Sequence, residues 1–301
     1  MFFILTVVVL AIVVYYFLRR TAPKITKEDL MQALSKYPKQ HQREGCEKAQ
    51  PVYHLSEKDN KAICKAFEPG LDMQYVSLNN YKNICGTVSE FAVGSRIRTG
   101  LKYGQVLELR DEQTGKIQGV IVVSEPEHPF SFLQSLIGFE LKIPFFWSKR
   151  ARSEAEHPFS FVQFLIGFEL KIPFFLSKRA RSEGWGSKVS VKLNTIANKM
   201  LNKHKQLLSG RKHWYVAVLG VAEGAQGKGV GTKLLDCVKA FAFESGDPVY
   251  LECHDNNVGY YQKQGFKLIH TQNMKPKHKD ITEGLNINFM LYENPHKNKD
   301  D

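Results

Sequence analysis

The stretch from Trp214 to Phe266 constrains this 301-residue chain more than any other. Trp214-Tyr-Val-Ala-Val-Leu-Gly-Val221 is an apolar run rich in β-branched and aromatic residues, the profile of a buried strand. It leads into Gln226-Gly227-Lys228-Gly229-Val230-Gly231. A helical pattern follows, with apolar residues at Val230, Leu234, Val238 and Phe241, closed by Gly246-Asp247-Pro248. Glycines let backbone approach a ligand closely, and the amides that open a helix point outward with the positive end of its dipole. Strand, glycine loop and helix in this order predict a phosphate or pyrophosphate site.

The loop lacks the Lys-Ser/Thr ending of a nucleotide-triphosphate loop, and it is not a first-strand G-x-G-x-x-G with an acidic residue about twenty positions on. It reads Gln-x-x-Gly-x-Gly. Downstream lie a second strand, Val249–Cys253, then Asn257, then Tyr261-Gln-Lys-Gln-Gly265-Phe266. This order resembles the GNAT superfamily of acetyl-CoA-dependent N-acetyltransferases, closely over residues 211–270 and more loosely over 51–123. Within it, His213-Trp214-Tyr215 and Leu251-Glu252 are most similar to the puromycin N-acetyltransferase type, a small-molecule branch. Val221-Ala222-Glu223-Gly224 departs from the family's usual Val-Asp-Pro, which touches the turn before the loop and not the loop's donors.

The resemblance implies an α/β fold: a mixed, centrally splayed sheet flanked by helices, with acetyl-CoA as co-substrate. It places Leu219 and Val221 beside the pantetheine, Gln226, Gly227, Lys228, Gly229, Val230, Gly231 and Thr232 at the pyrophosphate, and Asn257 in the acyl site. Tyr261 matches the general acid. An ordinary phenol, with a pKa of about 10, protonates a thiolate only if its pKa is lowered or its geometry is tight. Glu252 is the carboxylate best placed as general base, with His213 and His254 as rivals. Tyr260 is the adjacent candidate for the general acid, but it points the other way if the segment is extended. Cys253 has no partner arrangement for a covalent route, so direct attack in a ternary complex is expected. The acceptor reads as a small-molecule amine, with a protein N-terminus or lysine as the alternative. A non-catalytic CoA-binding or membrane-docking module is the alternative of another class.

The chain has 42 Lys+Arg against 30 Asp+Glu, net +12, which suits polyanionic CoA or an anionic membrane face. The positive charge is dispersed and no nucleic-acid motif occurs, so no nucleic-acid partner is expected. Five cysteines, an odd number without a C-x-x-C pair, argue for free thiols and against a disulfide framework or a metal site. Phe2–Leu18 is apolar except for Thr6 and is followed by Arg19 and Arg20. It reads as one N-terminal transmembrane helix rather than a signal peptide, since no basic n-region precedes it and no small-x-small site follows. Positive charge only on its C-terminal side predicts a cytosolic domain.

Residues 1–20 are thus expected as the anchor, 21–50 as a basic juxtamembrane linker with a helix at Lys27–Lys36, 51–292 as the acetyltransferase domain and 293–301 as a disordered tail. Within the domain, Pro51–Leu55 predicts a strand and Ser56-Glu-Lys-Asp59 caps a helix. A second helix lies within Tyr75–Val93. Val106–Arg110 and Ile117–Val123 form a hairpin, a basic helix spans Ser187–Gly210, and Lys267–Met274 and Leu285–Tyr292 are the last two strands. Glu127–Ala155 is repeated in tandem as Glu156–Gly184, forming an insertion over 127–184. Neither copy suits a bilayer: each carries a Glu and a Lys at a cost of about 2.5–3.5 kcal/mol apiece at mid-membrane, and a proline. An interfacial helix is one reading, and an ordinary connecting helix beside a near-neutral duplicate is the other.

Overall fold

The computed structural model describes residues 22–66, 85–130, 199–274 and 285–295. The expected membrane span at 2–18 and all of the tandem copies beyond Phe130 lie outside these. No described helix is long and apolar enough to cross a membrane. The chain divides into two units, Met1–Gly138 with Gly210–Asp301, and Phe139–Ser209. In the second unit the described residues 199–208 are helical, as the basic helix predicts.

The first unit is built on a seven-stranded sheet. Its strands are β1 (Gln50–Pro51), β2 (Gln105–Arg110), β3 (Ile117–Ser124), β4 (Trp214–Val221), β5 (Val249–Cys253), β6 (Lys267–Met274) and β7 (Leu285–Tyr292), in the order β1-β2-β3-β4-β5-β7-β6. All neighbours are antiparallel except β4 and β5. The expected mixed sheet is therefore present. Its first strand is shorter than Pro51–Leu55, because Ser56 already accepts from the Asp59 amide and starts the next helix.

Helices cover both faces. On one lie α1 (Lys27–Lys36) and α4 (Val230–Ser245), packed on Leu107, Ile121, Val216, Leu251 and Met290. On the other lie α2 (Glu57–Ala66) and α3 (Cys85–Tyr103), packed on Val106, Val120, Val122 and Val218. The period-2 alternation of β2 and β3 feeds the two layers in turn. α3 runs ten residues past the expected end at Val93, because Val93, Ile97 and Leu101 continue one apolar stripe at i, i+4 spacing.

Residues 22–49, expected as a linker, contribute to the core. α1 forms where its pattern predicts, with a Thr26/Asp29 capping box, and buries Leu30, Ala33 and Leu34. Tyr37, Cys46 and Ala49 follow them inside. The Arg43 amide donates to Asp236 of α4 at 3.0 Å, and Ile25 to the Gln105 side chain at 3.1 Å. Charged and polar residues are interspersed along this segment, yet Leu30, Ala33 and Leu34 share one face of α1 and that face decides its place. At the other end, Glu293 pairs with Arg211 and the buried Asn294 amide donates to the Ala242 carbonyl, so these two residues are packed rather than free.

Candidate active site

β4 positions the site through two irregularities. The first is a bulge. Val122 pairs with Val218 and Val123 with Val216, which leaves Ala217 without a partner on β3. One extra residue reverses the side-chain alternation beyond it. Trp214 and Val216 therefore face the α4 layer, Ala217 and Val218 both face the α2/α3 layer, and Leu219 and Val221 return to the α4 layer. The second is a parting. β4 and β5 pair at Trp214–Val249, Tyr215–Tyr250 and Val216–Leu251 and no further. Beyond this vertex the β5-facing backbone of Ala217–Val221 is left without a strand. This is the splay that the resemblance implies.

The loop after β4 opens the same side. Gly224, Gly227 and Gly229 all have φ between +76° and +82°, the left-handed region that side chains resist, and a Cβ at any of them would meet nothing within 4 Å. Gly229 is the N-cap of α4 and supplies no side-chain cap. The loop closes on Ala225 N–H to the Ala222 carbonyl and Lys233 N–H to that of Gly229, each at 3.0 Å, and the amides that open α4 precede its first intrahelical bond. A run of outward amides, glycine-shaped and uncapped at a helix N-terminus, fits a phosphate-bearing ligand. Lys228 is exposed beside it. The structure thus brings Leu219, Val221, Gln226, Gly227, Lys228, Gly229, Val230, Gly231 and Thr232 to one side of the parting. Asn257 is exposed on the first turn of the helix after β5.

That helix, α5 (Asp255–Lys263), explains the Tyr-x-x-x-Gly-Phe spacing. Gly265, at φ +84°, donates to the Gln262 carbonyl at 2.9 Å, and Phe266 donates to that of Tyr261 at 3.0 Å. This is a Schellman cap, with the tyrosine three residues before the capping residue, the glycine one after it, and the phenylalanine next. The accompanying apolar contact is the Tyr261–Phe266 ring pair, edge-on at 5.8 Å. Asp255 anchors the other end, accepting from Asn288 at 2.6 Å and Asn286 at 2.9 Å on β7. Tyr261 is consequently fixed and buried beside Cys253, and burial drives its phenol well above the ordinary range. It stays protonated at physiological pH. Because the segment is helical rather than extended, Tyr260 does not point away: the two rings meet edge-on at 5.0 Å.

Glu252 is the first β5 residue beyond the vertex, on the face opposite α4, and is partly exposed. Tyr250 donates its phenolic hydrogen to Glu252 Oε1 at 2.8 Å, and Tyr215 on β4 is a second phenol bonded to the carboxyl. Burial holds its pKa above the usual carboxylate range; the two phenols and the Arg96 guanidinium on α3 oppose that rise in part. A carboxyl so raised accepts a proton more readily than a surface glutamate. His213 stands edge-on to Tyr250 at 5.6 Å, with Nδ1 2.8 Å from the Arg211 carbonyl, which fixes the proton on Nδ1 and leaves Nε2 basic. His254 is the N-cap residue of α5. Burial lowers both imidazole pKa values, so both rings are neutral near pH 7. Sequence reasoning named Glu252 but not its partners Tyr215, Tyr250 and Arg96. The i, i+2 spacing of Tyr250 and Glu252 on a strand was the available signal.

Residues 174–266 match the model of the acetyltransferase (GNAT) family. No curated protein matches the chain. Among solved structures, histone acetyltransferase HPA2 and related acetyltransferase from Corynebacterium glutamicum ATCC 13032 is similar, with 16% identity, 82% of this chain and 95% of that one covered, and a TM-score of 0.38. An N-acetyltransferase from Staphylococcus aureus Mu50 has 16% identity, coverage of 77% and 95%, and a TM-score of 0.36. Naa20 from Chaetomium thermophilum, solved with a bisubstrate analogue, has 11% identity, coverage of 84% and 90%, and a TM-score of 0.37. The family match takes in β4, the glycine loop, α4, β5 and α5 together, and it places a GNAT acetyltransferase domain in this chain.

Proposed function

We propose that the chain transfers the acetyl group of acetyl-CoA to a primary amine of a small molecule while both are bound. Gln226–Thr232 hold the pyrophosphate through their amides, Leu219 and Val221 line the pantetheine, and Asn257 completes the acyl side. Glu252 takes the proton that the amine sheds as the C–N bond forms and the C–S bond breaks. Tyr261 gives a hydrogen bond to the departing sulfur, whose proton comes finally from solvent. The observation that carries this reading is the position of Glu252 at the vertex of a parted β4/β5 pair, with the uncapped loop on the same parting. Support for a small acceptor comes from the resemblance of His213-Trp214-Tyr215 and Leu251-Glu252 to a small-molecule branch. The charge asymmetry around residues 2–18 supports an anchored enzyme whose domain faces the cytosol.

The test is release of free CoA thiol by the full chain with a panel of alkyl and aryl amines, alongside peptides with free N-termini and lysines. Turnover with amines should fall by about 10²–10⁴ in Glu252→Gln, the range a positioned base supplies. Turnover on peptides alone would replace the small-molecule reading. An undiminished Glu252→Gln rate would remove Glu252 from the chemistry.

A further inference from the structure

Tyr260 is left idle by the chemistry above, yet α5 turns it onto the first turn of α4. Its hydroxyl is buried and makes no hydrogen bond of full geometry among the described residues; the Thr232 side chain reaches it only weakly. It lies 2.8 Å from the point that a Cβ on Gly231 would occupy, with Val221 Cγ2 3.4 Å from the same point. The missing side chain at Gly231 is what gives the phenol its seat. The Thr232 side chain lies alongside, close enough to oppose part of the upward push that burial gives the phenol. A buried hydroxyl left with so weak a partner costs up to about 1–3 kcal/mol, and phenylalanine would fill the same space without that cost. For packing alone the hydroxyl is a liability. Its surroundings, however, are Val221, Gly231 and Thr232, the residues read above as the donor side.

We propose that Tyr260 is a positioning residue for the pyrophosphate of the acyl donor. With the donor in place its O–H donates to Thr232 Oγ1, which frees the Thr232 O–H to point at a phosphate oxygen. The ring meanwhile holds the Gly231–Thr232 turn at the height the phosphate needs. The hydroxyl is shut away from solvent, so it acts through Thr232 and not by touching the ligand. It also ties the Tyr261 helix to the donor loop, since both tyrosines stand on α5. The proposal rests on the reading of Gln226–Thr232 as the donor loop.

The experiment uses the full chain and the variant Tyr260→Phe, with two donors: acetyl-CoA, and S-acetylpantetheine, which lacks the pyrophosphate and nucleotide. Without Tyr260 the Thr232 hydroxyl is no longer held toward the phosphate, and loss of that hydrogen bond to a charged group should raise the Kd for CoA and the KM for acetyl-CoA by about 10-fold or more, with kcat unchanged. Turnover of S-acetylpantetheine should not move, and unfolding by urea should show no loss of stability. Thr232→Val should reproduce the same donor selectivity, and Tyr260→Phe added to it should change nothing further. A purely structural tyrosine would lower stability or impair both donors alike, and either result overturns the proposal. So does a wild-type chain that binds CoA no better than Tyr260→Phe does. A folded wild-type chain that binds no CoA at all removes the donor-loop reading itself, a different and earlier failure.

Discussion

Gly231→Ala is the substitution whose consequence the structure sets most sharply. The new methyl would stand 2.8 Å from the Tyr260 hydroxyl oxygen, closer than real side chains approach, and 3.4 Å from Val221 Cγ2. Overpacking of this kind costs about 1–3 kcal/mol. Replacing a helical glycine by alanine returns up to about 1 kcal/mol, so the net loss should lie between about zero and 3 kcal/mol. In the Tyr260→Phe background the offending oxygen is gone, and the nearest ring atom, Cζ, stands at 3.7 Å, an ordinary contact. There Gly231→Ala should be neutral or stabilising by up to about 1 kcal/mol. Urea unfolding of the four proteins closes the cycle, with an expected coupling of about 1–3 kcal/mol. Equal costs in the two backgrounds, within about 0.5 kcal/mol, would refute the seating of Tyr260 on this turn.

Three further outcomes follow from the same geometry. Asp236 and Lys239 pair at 3.3 Å with both side chains at 6% exposure or less, so Asp236→Ala, which strands the lysine, should cost about 3–5 kcal/mol in urea unfolding. A loss under 1 kcal/mol would mean that water reaches the pair. Leu30→Ala should cost about 2–5 kcal/mol if residues 22–49 belong to the core, whereas a linker would tolerate it. The raised pKa of Glu252 makes stability pH-dependent in a defined sense. The native state gains in full below the ordinary glutamate range, where the carboxyl is neutral in both states, and loses that gain as pH rises through the raised native value. Melting curves across this window should show Glu252→Gln matching the wild type at low pH and exceeding it above. A gap that narrows with rising pH would contradict the assignment.

The elements most legible in the sequence are those decided by local pattern. β4, the helix at Val230, β5 and the last two strands announce themselves by apolar periodicity, and the loop by glycines that only positive φ requires. Tyr-x-x-x-Gly-Phe was legible as a motif, while its cause, a Schellman cap that packs Phe266 on Tyr261, needed coordinates. The Ala217 bulge left no trace in the sequence. It depends on β3 offering one residue fewer, and it decides which face Leu219 and Val221 take. Residues 22–49 looked like a linker because their apolar residues are scattered among charged and polar ones, and only the folded chain gathers Ile25, Leu30, Leu34, Tyr37 and Cys46 into the core. The direction of Tyr260 turned on whether its segment is strand or helix, since neighbouring side chains differ in direction by 180° in a strand and by about 100° in a helix, and the segment is helical.

The central claim, that the loop from Gln226 to Thr232 holds an acyl-CoA, is tested most directly by calorimetric titration of acetyl-CoA into the full chain. Gly229→Asn and Gly229→Glu accompany it. Asparagine tolerates the left-handed backbone and finds open space there, so Gly229→Asn separates strain from charge. The account predicts one-to-one binding by the wild type, largely kept in Gly229→Asn and abolished in Gly229→Glu, whose carboxylate would sit among the amides that face the pyrophosphate. No binding by a folded wild-type chain, or equal binding by all three, would contradict it.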